Sequence, residues 1–240
     1  MTDRGVCVIT GGGRGIGAAT ARLAAAAGWT VCLSWTSDEA SAATVAEEIG
    51  GTAVRADVAE EAEVIALFDA AAQQGPITAT VATAGIVAAA ARVEDLAVDR
   101  VRRLLDVNVV GALVTAREAV RHMSPAGGAI VMVGSIASRI GSPGEYVDYA
   151  ATKAAVDALT LGLSKEVAGQ GIRVNCVRPG IIDTDIHASG GQPARAQEMG
   201  PLAPIGRPGT AGEVAEAIVW LLGPEASYVT GATLDVGGGR

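Results

Sequence analysis

Residues 6–28 read Val6-Cys-Val-Ile-Thr10, then Gly11-Gly-Gly-Arg-Gly-Ile-Gly17, then an alanine-rich run that ends at Gly28. The first run is short and apolar, as in a buried strand, and the last has the composition of a helix stopped by glycine. A glycine-rich turn between strand and helix is the context of a phosphate-binding loop, because glycines allow close backbone approach and the helix N-terminus presents free N–H groups. The spacing is not the usual G-x-G-x-x-G, so a glycine turn without a ligand is the alternative.

The alternation of strand and helix continues along the whole chain. Apolar runs predict strands at residues 6–10, 30–35, 52–56, 77–81, 129–133, 172–177 and 232–236. Helical patterns lie at residues 18–28, 38–49, 59–73, 96–106, 107–122 and 212–222, and in the run that follows Gly144. This order predicts an α/β fold of Rossmann type, with one doubly wound parallel sheet of about seven strands flanked by helices and ligands at the strands' carboxyl ends.

Composition indicates one globular domain over residues 1–240 and argues against several kinds of partner. The chain has 240 residues, 50% of them hydrophobic, which suffices for one large core. Its net charge of −8 argues against nucleic acid and against an anionic membrane surface. No apolar run reaches the ~18 residues that a membrane-spanning helix needs, and the N-terminus lacks the apolar centre of a signal peptide.

The cysteines and histidines show no metal-ligand spacing. Cys7, Cys32 and Cys176 are odd in number and lie in apolar runs, which is typical of buried free thiols in a reducing cytoplasm. His122 and His187 stand far apart in the chain. We therefore expect a cytoplasmic protein without a metal site.

Tyr149 and Lys153 stand four residues apart in an alanine-rich run, so they share one face of a predicted helix. An ammonium beside a phenol favours the phenolate, and we expect Lys153 to lower the pKa of Tyr149. A tyrosine tuned in this way can exchange a proton with a substrate near neutral pH. The alternative is a surface tyrosine that happens to lie near a lysine. The chain has only two lysines beside its many arginines, which favours a functional role for this one.

Three further features lie at positions where a doubly wound sheet usually carries site residues or the loops that cover a ligand. Ser135 follows directly after the fifth predicted strand, as either a site residue or a loop cap. Asn108 interrupts an apolar run and is either a structural residue that bends a helix or a polar group of a site. Residues 185–208 hold four of the nine prolines and little apolar periodicity, which is typical of a functional lid.

With the glycine loop, Ser135, Tyr149 and Lys153 in this order, the chain resembles the short-chain dehydrogenase/reductase family over essentially all of its length. Thr10-Gly11-x-x-x-Gly15-x-Gly17 matches the family's coenzyme loop and Tyr149-x-x-x-Lys153 its catalytic motif. The resemblance implies the four catalytic positions Asn108, Ser135, Tyr149 and Lys153. It implies coenzyme contacts from Gly11, Gly13, Arg14, Gly15, Ile16, Gly17, Ser34, Trp35, Thr36, Asp57, Val58, Thr83, Ala84, Gly85, Tyr149, Lys153, Pro179, Gly180, Ile182 and Thr184.

Two positions depart from the family's pattern. The usual Asn-Asn-Ala-Gly after the fourth strand is Ala82-Thr83-Ala84-Gly85, so a hydroxyl replaces an amide. The usual Ser-Ser after the fifth strand is Gly134-Ser135. Ser135 also stands 14 residues before Tyr149, where relatives often have 13. This spacing makes Ser138 an alternative to Ser135, which is the better candidate because it lies directly at the strand end.

The resemblance implies an enzyme that interconverts a carbonyl compound and a secondary alcohol with a nicotinamide coenzyme. Tyr149 would exchange the proton, Lys153 would bind the nicotinamide ribose, Ser135 would hold the substrate oxygen, and Asn108 would position a water that relays protons to Lys153. Acyl-thioester ketones and sugars or polyols are the competing small-molecule substrates. A nucleotide-binding sensor without turnover is the alternative of a different class. The family also implies a homotetramer.

The end of the second strand favours NADP(H) over NAD(H). NAD-specific folds of this type usually place a carboxylate there for the ribose hydroxyls. Here the strand ends in Ser34-Trp35-Thr36-Ser37, and no carboxylate appears before Asp38. Arg14 in the glycine loop could bind a 2′-phosphate through paired hydrogen bonds. The alternative is that Arg14 is a solvated cation and Asp38 bends back to the ribose.

Overall fold

Strands and helices alternate through the residues that the computed structural model describes, 4–123 and 126–240. The strands are β1 (Val6–Thr10), β2 (Thr30–Trp35), β3 (Thr52–Arg55), β4 (Ile77–Ala82), β5 (Gly128–Val133), β6 (Ile172–Pro179), β7 (Ile182–Asp183), β8 (Gly209–Thr210) and β9 (Thr233–Val236). The helices are α1 (Gly15–Ala26), α2 (Glu39–Ile49), α3 (Glu61–Ala72), α4 (Val98–Leu105), α5 (Gly111–His122), α6 (Ala137–Ile140), α7 (Val147–Val167), α8 (Ile186–Ser189), α9 (Arg195–Met199) and α10 (Ala211–Leu222).

Seven of the strands form one sheet in the order β3-β2-β1-β4-β5-β6-β9. All six neighbouring pairs run parallel. From β1, the strands β2 and β3 follow toward one edge of the sheet, and the strands from β4 onward follow toward the other edge. The direction in which the chain adds strands therefore reverses between β1 and β4. A sheet with this order opens a crevice at the carboxyl ends of its strands at that point. The predicted Rossmann-type sheet of about seven strands is therefore confirmed.

Hydrophobic side chains cover both faces of the sheet, and β1 shows how one strand serves both. Val6 and Val8 join the core that contains Phe68 of α3 and the apolar residues of α5 and α7. Cys7 and Ile9 point to the opposite core, which packs against α1, α2 and α10. Successive side chains of a strand alternate between faces, so a strand buried on both sides reads as one continuous apolar run. This explains why the central strands were readable from the sequence.

Three parts of the fold differ in detail from the sequence prediction. The predicted helices 96–106 and 107–122 are one continuous helical rod, because a π-helical segment, Asp106–Val110, joins α4 to α5. The segment 185–208 was predicted to lack regular structure, but it contains α8 and α9. The two-residue strands β7 and β8 pair with each other and were not predicted, since two residues carry no readable periodicity.

Within residues 4–123 and 126–240, no helix is both long enough and apolar enough to cross a membrane.

Candidate active site

A cleft of about 630 Å³ opens at the carboxyl ends of the sheet strands, where the strand order reverses. Its walls come from the glycine loop, the ends of β2 to β6, and the segment that carries α8 and α9. Every predicted coenzyme-contact residue lines this cleft, and so do Ser135, Tyr149 and Lys153. Of the four predicted catalytic positions, Asn108 is the one that is not part of the cleft wall.

The glycine loop has the backbone geometry of an anion cradle. Gly11 and Gly15 have φ angles of +67° and +51°, in the left-handed region that favours glycine. A Cβ on Gly17 would lie 2.2 Å from the Gly11 carbonyl oxygen, so α1 can approach the loop this closely only without a side chain there. The first turn of α1 therefore faces the cleft with its N–H groups uncovered, and the loop fits a phosphate-bearing coenzyme.

Ser34 of β2 holds the glycine loop through two hydrogen bonds. Its hydroxyl accepts a hydrogen bond from the Gly11 N–H at 3.1 Å, and its carbonyl oxygen accepts one from the Gly12 N–H at 3.0 Å. The side chain is almost fully buried. Ser34 therefore fixes the loop to β2, whereas Thr36 and Ser37 lie exposed at the same end of the cleft.

Arg14 and Asp38 meet at this end of the cleft. One guanidinium nitrogen of Arg14 lies 3.7 Å from the Asp38 carboxylate, and half of the arginine side chain is exposed. Asp38 caps α2: its carboxylate accepts hydrogen bonds from the Ser41 N–H at 3.1 Å and the Ser41 hydroxyl at 2.8 Å. These bonds hold the pKa of Asp38 below its ordinary value. The carboxylate thus has partners on its own helix, while the guanidinium faces the cleft.

Asp57 and Val58 form the neighbouring wall, beyond the end of β3. The Asp57 carboxylate accepts hydrogen bonds from the Ala59 N–H at 3.0 Å and from Arg103 at 3.2 Å. Val58 is buried against Gly111, where a Cβ would lie 2.7 Å from a methyl group of the valine. This wall is therefore rigid and is suited to pack against a planar ring.

Tyr149 and Ser135 form a hydrogen-bonded pair in the middle of the cleft. The Ser135 side chain hydrogen-bonds the Tyr149 side chain and also accepts a hydrogen bond from the Ala137 N–H at 3.1 Å. Ser138, the alternative to Ser135, donates its hydroxyl proton back to the Ser135 carbonyl oxygen at 2.9 Å. Ser135 is consequently the serine that faces the phenol.

Lys153 lies one turn after Tyr149 on α7, with its ammonium almost fully buried. The ammonium donates a hydrogen bond to the Val133 carbonyl oxygen at 2.8 Å and lies 5.8 Å from the centroid of the Tyr149 ring. A Cβ on Gly85 would lie 3.3 Å from the same ammonium. Glycine at position 85 therefore leaves space beside the lysine on the cleft side.

The expectation that Lys153 lowers the pKa of Tyr149 is wrong for the chain by itself. Burial raises the pKa of Tyr149 to about 12, and the hydrogen bond with Ser135 opposes only part of that rise. Burial also lowers the pKa of Lys153 to about 8. The reason is that desolvation disfavours the charged form of both groups, and the ammonium is directed to Val133 and not to the phenolic oxygen.

Asn108 lies in the π-helical segment and holds the loop after β4 in place. Its side-chain oxygen accepts from the Ile86 N–H at 2.8 Å, and its amide donates to the Ile86 carbonyl at 2.9 Å and to the Thr152 hydroxyl at 3.1 Å. Both polar ends of the side chain are thus occupied. The Asn108 side chain therefore has a structural role in the chain by itself, and the water relay implied by the family stays a prediction that would have to use its backbone carbonyl.

Thr83, which stands where the family has asparagine, lines the cleft beside the glycine loop. Its buried hydroxyl has no hydrogen-bond partner among the described residues. A buried polar group without a partner is uncommon and calls for a ligand or a water. The free hydroxyl and the glycine cradle are the two features that fit a bound nicotinamide nucleotide.

One wall of the cleft contains a side-chain cluster that was not predicted from the sequence. Arg195 of α9 binds both carboxylate oxygens of Glu145, at 3.1 and 2.6 Å, and lies over the Tyr146 ring. The Tyr146 hydroxyl donates to the Gln192 side chain at 2.8 Å. These partners lie about fifty residues apart in sequence, and no local pattern marks such a pairing.

Comparisons with known proteins agree with this geometry. The family model described as enoyl-(acyl carrier protein) reductase matches residues 11–240. The chain is 50% identical over 245 residues to the uncharacterized oxidoreductase YgfF of Escherichia coli (strain K12). The alignment covers 98% of this chain and 99% of that protein.

Two solved structures share the fold along nearly the whole chain. The crystal structure of a blue fluorescent protein from a metagenomic library in complex with NADPH has a TM-score of 0.90 and 33% identity, covering 99% of this chain and 98% of the other. The 3-ketoacyl-(acyl-carrier-protein) reductase from Brucella melitensis, complexed with NADH, has a TM-score of 0.92 and 32% identity with the same coverage. The family model and these likenesses extend over almost all of the sequence. The chain therefore belongs to the short-chain dehydrogenase/reductase family, whose members use NAD(P)(H), and it is an oxidoreductase that acts on CH–OH and C=O groups.

Proposed function

We propose that the protein is an NADP(H)-dependent oxidoreductase that interconverts a carbonyl compound and a secondary alcohol, with Tyr149 as the acid/base. The observation that carries the proposal is the pairing of Tyr149 with Ser135 beside the buried Lys153, in a cleft whose other end is a glycine cradle. A sensor that only binds a nucleotide has no need of such a phenol, which argues against the non-catalytic alternative.

Four side chains have separate roles in the proposed reaction. In reduction, the Tyr149 hydroxyl gives its proton to the carbonyl oxygen as that oxygen becomes negative, and in oxidation the phenolate takes the proton back. Ser135 lies beside the phenol and donates a hydrogen bond to the same substrate oxygen, which stabilises the developing charge. Lys153 keeps a positive charge next to this pair. Asn108 acts as a positioning residue, since its side chain holds the loop at Ile86.

The remaining residues of the cleft would hold the coenzyme. Its phosphates would lie on the glycine loop and the N-terminus of α1, and its adenine would lie against Asp57 and Val58. Its nicotinamide end would lie between Thr83 and the turn from Pro179 to Thr184, with Lys153 on the ribose. When bound, the coenzyme supplies or accepts the hydride. Because one similar structure is a complex with NADPH and another with NADH, the preference for NADP(H) rests on Arg14 and the residues around it.

We assign residues 185–208 as a lid over the substrate end of the cleft. The Arg195–Glu145 ion pair and the Tyr146–Gln192 hydrogen bond tie this segment to the start of α7, the helix of Tyr149. A lid held at that point excludes water from the reacting groups when it is closed.

The lining at the substrate end of the cleft favours an acyl-thioester ketone over a sugar or polyol. Its apolar side chains include Val87 and Ile140, together with Ile186 and Met199 of the lid itself. Such walls suit a carbon chain or ring, whereas a polyol would leave hydroxyl groups unpaired against them. The description of the matched family and the 3-ketoacyl reductase among the similar structures point the same way.

A screen of coenzyme oxidation tests this function. The purified protein is given NADPH or NADH with 3-ketoacyl thioesters, simple cyclic ketones, sugars and keto-polyols, and coenzyme absorbance is followed. We expect turnover with NADPH and a ketone on a carbon chain or ring. Turnover of sugars alone would favour the polyol alternative. Coenzyme binding without turnover of any carbonyl would favour the sensor.

We also infer that the protein assembles as a homotetramer. Exposed apolar side chains lie on two separate faces: Val110, Leu113 and Leu161 on the α5 and α7 side, and Trp220 and Leu234 on the α10 and β9 side. A tetramer with twofold symmetry needs more than one self-complementary surface on each subunit. The outer edge of β9 is also a free sheet edge in the single chain, and proteins usually cover such edges.

Light scattering coupled to size exclusion should give four chain masses at micromolar concentration. Leu161→Glu and Trp220→Glu each place a charge in one of the two faces, so each variant should give a dimer with an unchanged far-UV circular dichroism spectrum. Glu47→Gln on the exposed side of α2, away from both of these faces, serves as the control. A monomer mass for the wild type would refute the assembly.

A cytoplasmic location is part of the proposal. It rests on Cys7, Cys32 and Cys176, which are all free and buried, as in proteins of reducing compartments.

A further inference from the structure

Asp157 and Arg178 form a largely covered ion pair close to Lys153. Asp157 lies one helical turn after Lys153 on α7, and Arg178 lies near the end of β6. The guanidinium binds both carboxylate oxygens, through Nε at 3.0 Å and Nη2 at 2.9 Å. The side chains are only 16% and 19% exposed, so the two charges interact in surroundings that screen them weakly.

Cys176 and Gly134 connect this ion pair to the strand end that holds Lys153. The Cys176 thiol donates to an Asp157 carboxylate oxygen at 3.7 Å. A Cβ on Gly134 would lie 2.8 Å from the Cys176 sulfur and 3.3 Å from an Asp157 oxygen. Gly134 directly follows Val133, whose carbonyl oxygen accepts the Lys153 hydrogen bond. Glycine at position 134, where the family usually has serine, therefore leaves the space that the thiol and the carboxylate occupy.

The groups that face Lys153 come from each element packed against it. Its own helix contributes Tyr149 and Asp157, and β6 contributes Cys176, with Arg178 acting through Asp157. The remaining elements contribute uncharged groups: the Val133 carbonyl oxygen from β5, the Asn108 side chain from the π-helical segment, and the Gly85 backbone from the loop after β4. Asp157 is thus the anionic carboxylate in this shell, since the thiol stays protonated because burial raises the pKa of Cys176 to about 12.

We propose that Asp157 is a positioning residue that keeps Lys153 protonated and bound to the Val133 carbonyl oxygen, and that Arg178 limits how much of the carboxylate's charge the lysine feels. The ion pair is not part of the cleft wall and therefore sets the ionisation of the lysine from outside the cleft. Burial lowers the pKa of Lys153, and the neighbouring Cys176 and Asp157 counteract that effect. The consequence for turnover rests on the proposed function, whereas the ionisation of Lys153 does not.

The sequence makes the ionisation directly measurable. The chain has two lysines, Lys153 and the exposed Lys165, so ¹³Cε-lysine labelling gives two NMR signals that Lys153→Arg assigns. The wild-type Lys153 signal should titrate at lower pH than an ordinary lysine side chain, because burial lowers its pKa to about 8. In Asp157→Asn the titration of Lys153 should move to lower pH by about 0.5–1 unit, because an attractive charge one helical turn away is lost. In Arg178→Gln it should move to higher pH, because the carboxylate is then no longer neutralised.

Opposite shifts in the two variants distinguish this role from a merely structural one. If the ion pair only supports the fold, both variants lose thermal stability and the Lys153 titration stays where it is in the wild type, which overturns the proposal. Two shifts in the same direction overturn it as well. Asp99→Asn, which removes an exposed carboxylate elsewhere, is the matched control and should leave both lysine signals unmoved. If Asp157→Asn does not fold, the upward shift in Arg178→Gln decides alone.

A kinetic measurement then connects the ion pair to catalysis. With saturating coenzyme, kcat/KM for a reducible carbonyl should decline at lower pH in Asp157→Asn than in the wild type, and at higher pH in Arg178→Gln. Asp157→Glu keeps the charge and should restore most of the wild-type profile. Moved NMR titrations with unmoved pH profiles would show that the ion pair sets the lysine's ionisation but that the proposed role of Lys153 in turnover is wrong.

Discussion

Tyr149→Phe is expected to lower kcat/KM by about 10²–10⁴-fold while the coenzyme still binds. Positioned acid/base groups contribute about this much, which corresponds to roughly 3–5 kcal/mol of transition-state stabilisation. The substitution removes one hydroxyl and leaves the ring in place between Ser135 and Lys153. Coenzyme affinity, measured by titration calorimetry, should therefore change little, and the loss should appear mainly in kcat.

The other two tyrosines provide the comparison. Tyr228→Phe removes the same hydroxyl from a fully exposed side chain and should leave activity unchanged. Tyr146 is the competing candidate for the acid, because it lies in the cleft one turn before Tyr149. Its hydroxyl already donates to Gln192 on the lid, so Tyr146→Phe should weaken substrate binding more than turnover. Near-normal kcat in Tyr149→Phe, with a large loss in Tyr146→Phe, would contradict the assignment.

The raised pKa of Tyr149 bears on the direction of the reaction. In the chain alone the phenol keeps its proton far above neutral pH, because burial disfavours the phenolate. A protonated tyrosine is ready to donate, which is what carbonyl reduction requires. Alcohol oxidation requires the phenolate, so the positive charge of Lys153 matters more in that direction. The contribution of Asp157 to this charge is therefore a contribution to how readily the enzyme runs as a dehydrogenase.

The sheet was predictable from the sequence because its signal is local. Each central strand is buried on both faces and appears as a short apolar run, and each βα unit repeats the pattern. The glycine loop and the pairing of Tyr149 with Lys153 are also local, since their spacing alone brings the residues together on a turn or a helix face. These features sufficed to place the cleft, whereas the predicted coenzyme contacts along its walls came from the resemblance to the family.

The electrostatics of the cleft were not predictable, because they depend on contacts between distant parts of the chain. The i,i+4 spacing places Lys153 near Tyr149. The Lys153 ammonium, however, donates its hydrogen bond to the Val133 carbonyl oxygen because α7 packs on β5. Burial, which dominates both pKa values, is a property of the folded core. The Arg195–Glu145 and Arg178–Asp157 pairs likewise join elements that only the tertiary structure brings together.

Arg14→Ala is expected to reduce the preference for NADPH by roughly tenfold to a hundredfold and to leave the use of NADH largely unchanged. A charge-assisted contact to phosphate contributes about 1.5–3 kcal/mol, and the half exposure of Arg14 places the effect toward the lower end. The guanidinium lies 3.7 Å from Asp38, which follows the exposed Thr36 and Ser37 at the end of the second strand, where the resemblance puts the ribose of the adenosine. The measurement is kcat/KM for each coenzyme in the wild type and the variant, and the wild type should favour NADPH. Arg22→Ala is the matched control, because Arg22 lies on α1, the helix that follows the glycine loop, and pairs with Glu48 outside the main cleft.

Asp38→Asn separates the two possible readers of the ribose. Asparagine also caps helices well, so the start of α2 should be preserved. If Arg14 binds the 2′-phosphate, removing the carboxylate that lies 3.7 Å from its guanidinium frees the arginine and takes away a repulsion, so kcat/KM for NADPH should rise. If instead Asp38 binds the ribose hydroxyls, the same substitution should reduce the use of NADH and leave that of NADPH unchanged. Two results would contradict the role of Arg14: a wild type that prefers NADH, or an Arg14→Ala variant that uses both coenzymes equally less well. A contact made only to the 2′-phosphate cannot affect a coenzyme that lacks this phosphate.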